Sequence, residues 1–168
     1  MQARTMLFLG GARSGKSRLA QAEAEQGPGP LTFIATAQGF DDEMSHRIAQ
    51  HRADRGDQWR TVEAPLSVGE AIRQVRNGTI LVDCLTLWLS NLMLSGQDVA
   101  AARKELVELV EQTPARLIFV ANEVGLGIVP ETPLGRAFRD EAGRLNQMLA
   151  SCVEQVRFVA AGLAVRLK

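Results

Sequence analysis

The strongest motif in this 168-residue chain reads Gly10-Gly11-Ala12-Arg13-Ser14-Gly15-Lys16-Ser17. It matches G-x-x-x-x-G-K-[ST], the spacing of a loop whose backbone N–H groups surround the phosphates of a nucleotide. The flanking sequence fits, because an apolar run of strand type (5–9) precedes it and strong helix formers (18–25) follow it. We therefore expect the whole motif to bind nucleotide, with Lys16 on the β- and γ-phosphates and the Ser17 hydroxyl on Mg²⁺. The alternative is a fortuitous glycine-rich loop.

Strand patterns alternate with helix patterns along the rest of the chain. Strands are expected at 31–36, 59–64, 79–83, 116–121, 155–161 and 164–168, and helices at 41–55, 67–76, 85–94, 99–112 and 133–153. This alternation predicts a three-layer α/β/α fold with a mainly parallel sheet, the architecture of RecA-like P-loop NTPases. Ligands of such sheets bind at the carboxyl ends of the strands. The residues that fall there are Gly10, Thr36, Glu63, Asp83 and Asn122.

Length, charge and cysteine content limit the classes of protein to which this chain can belong. A chain of 168 residues is most simply one domain, and its 19 basic and 19 acidic residues give a net charge of zero. Zero net charge argues against nucleic acid or an anionic membrane as a required partner. We also expect no membrane insertion, since no apolar run approaches about 18 residues. Cys84 and Cys152 lack metal-site spacing and indicate small buried side chains in a reducing cytoplasm.

Asp83 ends the apolar strand pattern 79–83. An acidic residue at such a strand end is typical of the Mg²⁺ site of a P-loop protein. The alternative is a carboxylate that caps the helix beginning at residue 85. Because Ser17 supplies a second oxygen ligand, we favour the Mg²⁺ role.

The predicted helix 41–55 carries both histidines, His46 and His51. Five residues apart on a helix, they point about 140° away from each other and do not form a metal pair. His51 instead shares a helical face with Arg47 and Arg55. Neighbouring cations favour the neutral imidazole, whose free nitrogen is a nucleophile, and the arginines could hold phosphate oxygens. The alternative for a histidine on a polar helix is a solvated surface residue.

Several longer motifs add to the glycine-rich loop. They are Ile-Ala-Thr-Ala (34–37), Asp-Asp-Glu-Met (41–44), Arg-Ile-Ala-Gln-His-Arg (47–52), Trp-Arg-Thr-Val-Glu (59–63), Asn-Glu-Val-Gly-Leu-Gly-Ile-Val-Pro (122–130), Phe-Arg-Asp (138–140) and Gly-Arg-Leu-Asn-Gln (143–147). With these motifs the chain resembles, nearly end to end, the bifunctional adenosylcobinamide kinase/adenosylcobinamide-phosphate guanylyltransferase family of cobalamin biosynthesis. The stretch 122–130 is far more specific to that family than the phosphate loop.

The resemblance implies two reactions. ATP or GTP phosphorylates adenosylcobinamide, and GTP then transfers GMP to the resulting phosphate through a guanylylated histidine, giving adenosylcobinamide-GDP. That histidine corresponds to His51, and Lys16 would assist as a second catalytic residue. The family also implies Mg²⁺ held by Ser17 and Asp83, although some relatives carry glutamate in place of Asp83, and assembly as a homotrimer.

The resemblance also implies the rest of the nucleotide site. Beyond the loop, the contacts would come from Thr36, Ala37, Gln38, Arg52, Ala53, Asp54, Arg55, Glu63 and Asp83. A carboxylate such as that of Glu63 suits the N1–H and N2–H₂ donors of guanine, and the alternative is an exposed charge at a strand end. Two other functions stay open: a monofunctional small-molecule kinase and a RecA-like ATPase switch.

Overall fold

The computed structural model describes residues 2–38 and 56–168. In this part of the chain one sheet contains β1 (Thr5–Gly10), β2 (Leu31–Ala35), β3 (Trp59–Glu63), β4 (Thr79–Asp83), β5 (Arg116–Asn122), β6 (Gln155–Ala160) and β7 (Leu163–Arg166). The strand order is β3-β2-β4-β5-β1-β6-β7, and only β7 runs antiparallel to its neighbour among these strands. The mainly parallel sheet is thereby confirmed. The helix expected at 41–55 lies outside the described residues.

The described helices are α1 (Lys16–Glu25), α2 (Val68–Arg73), α3 (Leu85–Leu94), α4 (Val99–Gln112) and α5 (Pro133–Cys152). The sequence predicts α3 and α4 to the residue, whereas α2 is shorter than the expected 67–76. It ends early because the N–H of Val75 bonds to the carbonyl of Ile72, three residues back, which tightens the chain out of α geometry. None of these helices combines the length and apolar character that a membrane span requires.

Both faces of the sheet are covered. Successive residues of β1 alternate between them: Met6 and Phe8 pack in one cluster with α1, and Leu7 and Leu9 pack in another with helices α2 to α5. All four side chains are buried. The two clusters separated by the sheet confirm the three-layer arrangement.

The carboxyl ends of the parallel strands lie along one edge. Ala35 is in register with Glu63 on one side and with Asp83 on the other, and Gly10 pairs with Asn122. Neighbouring strands lie about 4.8 Å apart, so β4 with Asp83 is about 10 Å and β3 with Glu63 about 19 Å from β1 with Gly10, measured perpendicular to the strands. The edge therefore presents one extended row of site residues.

A largely buried ion pair joins the C-terminal part of α1 to the amino-terminal end of β5. Arg116 is 5% exposed, and its guanidinium lies 2.6 Å from the carboxylate of Glu23. The same guanidinium donates to the carbonyl of Ala3 at 2.9 Å, while Glu23 also pairs with Arg157 at 2.9 Å. Since α1 begins at the phosphate loop, this pair helps to fix the direction in which the loop points.

We expect Arg116→Met to lower the free energy of unfolding by about 3 kcal/mol, because the Glu23 carboxylate, which is only 14% exposed, then loses one of its two arginine partners. Urea unfolding measures this loss. The matched control is Arg73→Met, in an ion pair with Glu105 whose side chains are 54% and 41% exposed. Such an exposed pair contributes less than about 1 kcal/mol. Equal losses in the two variants would contradict the structural role given to Arg116.

Candidate active site

The phosphate loop connects β1 to α1 and is held tightly on both sides. A β-carbon on Gly10 would lie 2.2 Å from the carbonyl oxygen of Val159, so this position requires glycine. The carbonyl of Gly10 accepts from the N–H of Glu123 at 3.0 Å, and that of Ser14 accepts from the N–H of Gly162 at 2.8 Å. The loop is therefore braced by β5 and by the turn between β6 and β7.

Gly162 is a site residue that sequence reasoning missed. It lies in the turn between β6 and β7, with φ 78, and its Cα approaches the loop at Gly15. The only sequence signal is a glycine between two strand patterns. Nothing in that pattern indicates that the turn contacts a loop nearly 150 residues earlier in the chain.

Helix α1 points its N-terminus at the loop. Gly15 adopts φ 94 directly before Lys16, which makes the sharp turn into the helix. The first N–H groups of a helix have no partner within it, and the helix dipole places positive charge at the same end. Residues 15–17 therefore present the kind of helix N-terminus that can bind phosphate.

Lys16 is 7% exposed, and its Nζ donates to the carbonyl of Gly11 at 2.9 Å. Burial lowers the pKa of Lys16, while the negative charge of Asp83, and that of the Cys84 thiolate when it ionises, act in the opposite direction. The ammonium is thus a partly desolvated cation close to Asp83. A phosphate oxygen would replace the water that this cation has lost.

Ser17 at the start of α1 and Asp83 at the end of β4 carry a hydroxyl and a carboxylate, the kinds of oxygen donor that Mg²⁺ takes. Among residues 2–38 and 56–168 no three His, Cys, Asp or Glu side chains gather into a metal cage. Mg²⁺ bound together with phosphates takes only one or two protein oxygens, so a hydroxyl and a carboxylate suffice. The residue directly before α3 is Cys84 rather than Asp83, which favours the metal role over helix capping.

Cys84 is 9% exposed, and Cys152 is partly exposed; both are free thiols. Burial, and then the nearby Asp83 carboxylate, raise the pKa of Cys84 to about 11. The folded protein therefore holds this proton more tightly than the unfolded chain, whose thiol has a pKa near 9. The stability that the protonated thiol contributes is present below about pH 9 and is lost as pH rises toward 11.

We expect the free energy of unfolding to fall by roughly 2 kcal/mol more in the wild type than in Cys84→Ala between about pH 8 and pH 10.5. Urea titrations at the two pH values, with a chelator present, measure the difference. The chain contains no tyrosine, which removes one other group that titrates in this range. Parallel pH dependence in the two proteins would contradict the burial of this thiol.

The side chain of Thr36 faces the neighbouring strand. Thr36 is fully buried, and its hydroxyl donates to the carbonyl of Cys84 at 2.7 Å and accepts from the Cys84 N–H at 2.9 Å. Ala37 and Gln38 are half-buried, and Glu63 is exposed at the end of β3. The polypeptide after β2 and the carboxylate of Glu63 are thus the parts of this region that face solvent.

The structure brings most of the predicted site residues to one edge. The loop 10–17, residues 36–38, Glu63 and Asp83 all lie at the carboxyl ends of the strands. His51, Arg52, Ala53, Asp54 and Arg55 lie outside the described residues.

A phosphate loop after β1 of a parallel sheet, with an acidic strand end two strands away, defines a P-loop nucleotide-binding protein. Solved structures share this fold. A prototypical ATPase of the type III secretion system of pathogenic bacteria superposes with a TM-score of 0.57 at 11% identity, over 96% of this chain and 56% of the other. The flagellar accessory protein FlaH of Methanocaldococcus jannaschii gives 0.52 at 12% identity, over 100% and 80%. At these identities the likeness shows the fold alone.

Sequence comparison identifies the family to which the chain belongs. The profile of the CobU family, described as cobinamide kinase / cobinamide phosphate guanyltransferase, matches residues 6–167. The bifunctional adenosylcobalamin biosynthesis protein CobP of Pseudomonas aeruginosa is 48% identical over 96% of both chains. CobU of Escherichia coli K12 is 39% identical over 97% of this chain and 99% of its own. The chain belongs to the cobinamide kinase/cobinamide phosphate guanyltransferase family of cobalamin biosynthesis enzymes.

Proposed function

We propose that this chain, as one domain over residues 1–168, catalyses both reactions named in the family description. ATP or GTP would phosphorylate adenosylcobinamide, and GTP would then convert the phosphate to adenosylcobinamide-GDP. The phosphate loop with buried Lys16 is the observation that carries the proposal, since both reactions need a bound triphosphate. The free thiols of Cys84 and Cys152 support a reducing cytoplasm as the compartment.

In the kinase step, the hydroxyl oxygen of adenosylcobinamide attacks the γ-phosphorus. The bond from that phosphorus to the bridging oxygen breaks, the nucleoside diphosphate leaves, and the hydroxyl proton passes to solvent. Lys16 and the N–H groups at the start of α1 neutralise the charge on the phosphates. Ser17 and Asp83 would hold Mg²⁺, which offsets further phosphate charge when bound.

In the transfer step, the same loop grips GTP while a nitrogen of His51 attacks the α-phosphorus and pyrophosphate leaves. A phosphate oxygen of adenosylcobinamide phosphate then attacks the same phosphorus and displaces His51. Splitting one difficult displacement into two is the general advantage of a covalent intermediate. Arg52 follows His51 directly and Arg55 lies four residues after it, and both would supply cations for the departing phosphates.

Guanine would be recognised at the end of β3, on the side of the site away from the phosphate loop. Glu63 is exposed at the end of β3, and its carboxylate oxygens accept the N1–H and N2–H₂ of guanine. Thr36, Ala37 and Gln38 lie between Glu63 and Asp83, because Ala35 is in register with both. A nucleotide with its phosphates at β1 would thus lie along the edge toward β3.

A time course with adenosylcobinamide tests the proposal. With Mg²⁺ and GTP, adenosylcobinamide phosphate should form first and adenosylcobinamide-GDP second, and a chelator should stop both. With ATP alone the reaction should stop at the phosphate. Phosphate without GDP product under GTP would indicate a monofunctional kinase, and nucleotide hydrolysis without any corrinoid product would indicate an ATPase switch.

We also propose a homotrimer, and two exposed apolar segments support it. Leu126, Ile128 and Val129, in the loop after β5, are 82%, 96% and 57% exposed. On the edge strand β7, Leu163 and Val165 are 73% and 61% exposed. A cyclic trimer joins two different patches on neighbouring copies, and patches this apolar rarely stay uncovered. Light scattering should give three times the chain mass, and a monomer would contradict the assembly.

A further inference from the structure

A small hydrogen-bonded cluster, here called the strand-end clamp, joins the ends of β2, β3 and β4. Its members are Thr36, the backbone of Cys84, the side chain of Asn91 and the carbonyl of Pro65. The Thr36 hydroxyl bonds to both the N–H and the carbonyl of Cys84. The clamp thus ties the residue after β2 directly to the residue that follows Asp83 in β4.

Asn91 closes the clamp from α3. Its side-chain amide donates to the carbonyl of Thr36 at 2.9 Å and to that of Pro65 at 3.0 Å. Asn91 is 9% exposed and lies on a helix whose other buried residues are mainly apolar. A buried amide is costly unless it is bonded, so its two bonds hold α3, β2 and the segment after β3 in one relative position.

The clamp lies between the two halves of the nucleotide site. Asp83, on the metal side, immediately precedes Cys84, whereas Ala37 and Gln38, on the base side, immediately follow Thr36. Glu63 stands two residues before Pro65, and the N–H of Ala64 donates to the carbonyl of Ala35 at 2.8 Å. A shift within the clamp therefore changes the distance between the base-reading groups and the phosphate-binding groups.

We propose that Thr36 and Asn91 are positioning residues that set the preference for guanine over adenine, by holding residues 37–38 and Glu63 at a fixed offset from Asp83. This rests on the proposed reading of guanine at that edge. Thr36 then acts through its hydroxyl on Cys84 rather than by a side-chain bond to the nucleotide. Hydrogen-bonded base recognition depends strongly on placement, because misplaced donors and acceptors are left unpaired in the complex.

The test compares the dissociation constants of GTP and ATP in the presence of Mg²⁺, with Tm recorded for each variant. Thr36→Val keeps the shape but lacks the hydroxyl, and Asn91→Leu likewise lacks the amide. Each is expected to lower the affinity ratio of GTP over ATP about tenfold. Thr36→Ser keeps the hydroxyl and is expected to keep the ratio.

Thr86→Val is the matched control. Thr86 is 8% exposed, and its hydroxyl accepts from the N–H of Asn122 at 2.6 Å, so it also joins a buried helix to a strand end. We expect a similar loss of Tm with an unchanged ratio. If Thr36→Val does not fold, Asn91→Ser, which removes the amide without an apolar clash, provides the same comparison.

A ratio that stays at the wild-type value in the Thr36 and Asn91 variants, while Tm falls as in Thr86→Val, would overturn the inference and leave a purely structural role. If the wild-type protein binds GTP and ATP with equal affinity, the site does not recognise guanine and this inference fails as well. The product time course tests the proposed function separately, since both products can form in a protein whose clamp has no effect on base preference.

Discussion

Lys16→Met is expected to lower kcat/KM of the kinase and of the guanylyl transfer together, each by about 10³-fold. Both reactions use the loop to hold a triphosphate, and the Lys16 ammonium is buried against the loop carbonyl of Gly11. Methionine is an unbranched side chain one atom shorter than lysine, and it lacks both the charge and the hydrogen-bond donor. Steady-state kinetics with each substrate pair measures both losses.

The Tm of Lys16→Met should not fall along with its activity. Because burial lowers the pKa of Lys16, the charged form is disfavoured in the folded protein, and an apolar replacement should keep or raise Tm. Lys104→Met is the control, since Lys104 is 79% exposed at the side chain and pairs only loosely with Glu108. Loss of one reaction with retention of the other in Lys16→Met would show that the two reactions do not share the loop.

His51→Ala is expected to lower guanylyl transfer by at least about 10³-fold and to change the kinase rate less than about threefold. In the proposed mechanism the histidine bonds to the α-phosphorus only in the transfer, whereas the kinase step proceeds at the γ-phosphorus. The two rates are measured separately, with ATP for the kinase and with preformed adenosylcobinamide phosphate plus GTP for the transfer.

His46→Ala is the matched control for that experiment. It removes the other histidine of the chain, five residues away, and is expected to leave both rates close to those of the wild type. Equal losses in the two variants would mean that the segment is needed for folding or binding rather than for its nucleophile. If His51→Ala retains the guanylyl transfer rate of the wild type, the transfer does not proceed through a covalent intermediate on His51.

The elements that sequence predicts best are those with a local signal. Helices α3 and α4 match their expected bounds, because apolar spacing and flanking breakers mark them within the chain. The phosphate loop, the parallel sheet and the row of strand ends follow from the same kind of pattern. Asp83 is found this way, since it ends an apolar strand.

The parts that sequence does not predict depend on contacts between distant residues. Thr36 and Cys84 lie 48 positions apart in the chain, and Asn91 and Thr36 lie 55 apart. The periodicity of apolar residues does not indicate contacts between residues this distant. The sequence gives one weak indication of Asn91, because it is the single amide side chain in a strongly apolar helix. An amide at such a position is expected to be buried and hydrogen-bonded. The shortening of α2 is by contrast a local effect, a bond from the N–H of Val75 to the carbonyl of Ile72 in a segment with a helix-forming pattern.

In the proposed mechanism one loop serves a phosphoryl transfer and a nucleotidyl transfer that passes through His51. Incubating the protein with Mg²⁺ and GTP radiolabelled at the α-phosphate tests it most directly, with γ-labelled GTP in a parallel sample. We expect a protein-bound label from the α-position only, labile in acid, stable in base and absent from His51→Ala. No adduct from α-labelled GTP, or an equal adduct in His51→Ala, would contradict it.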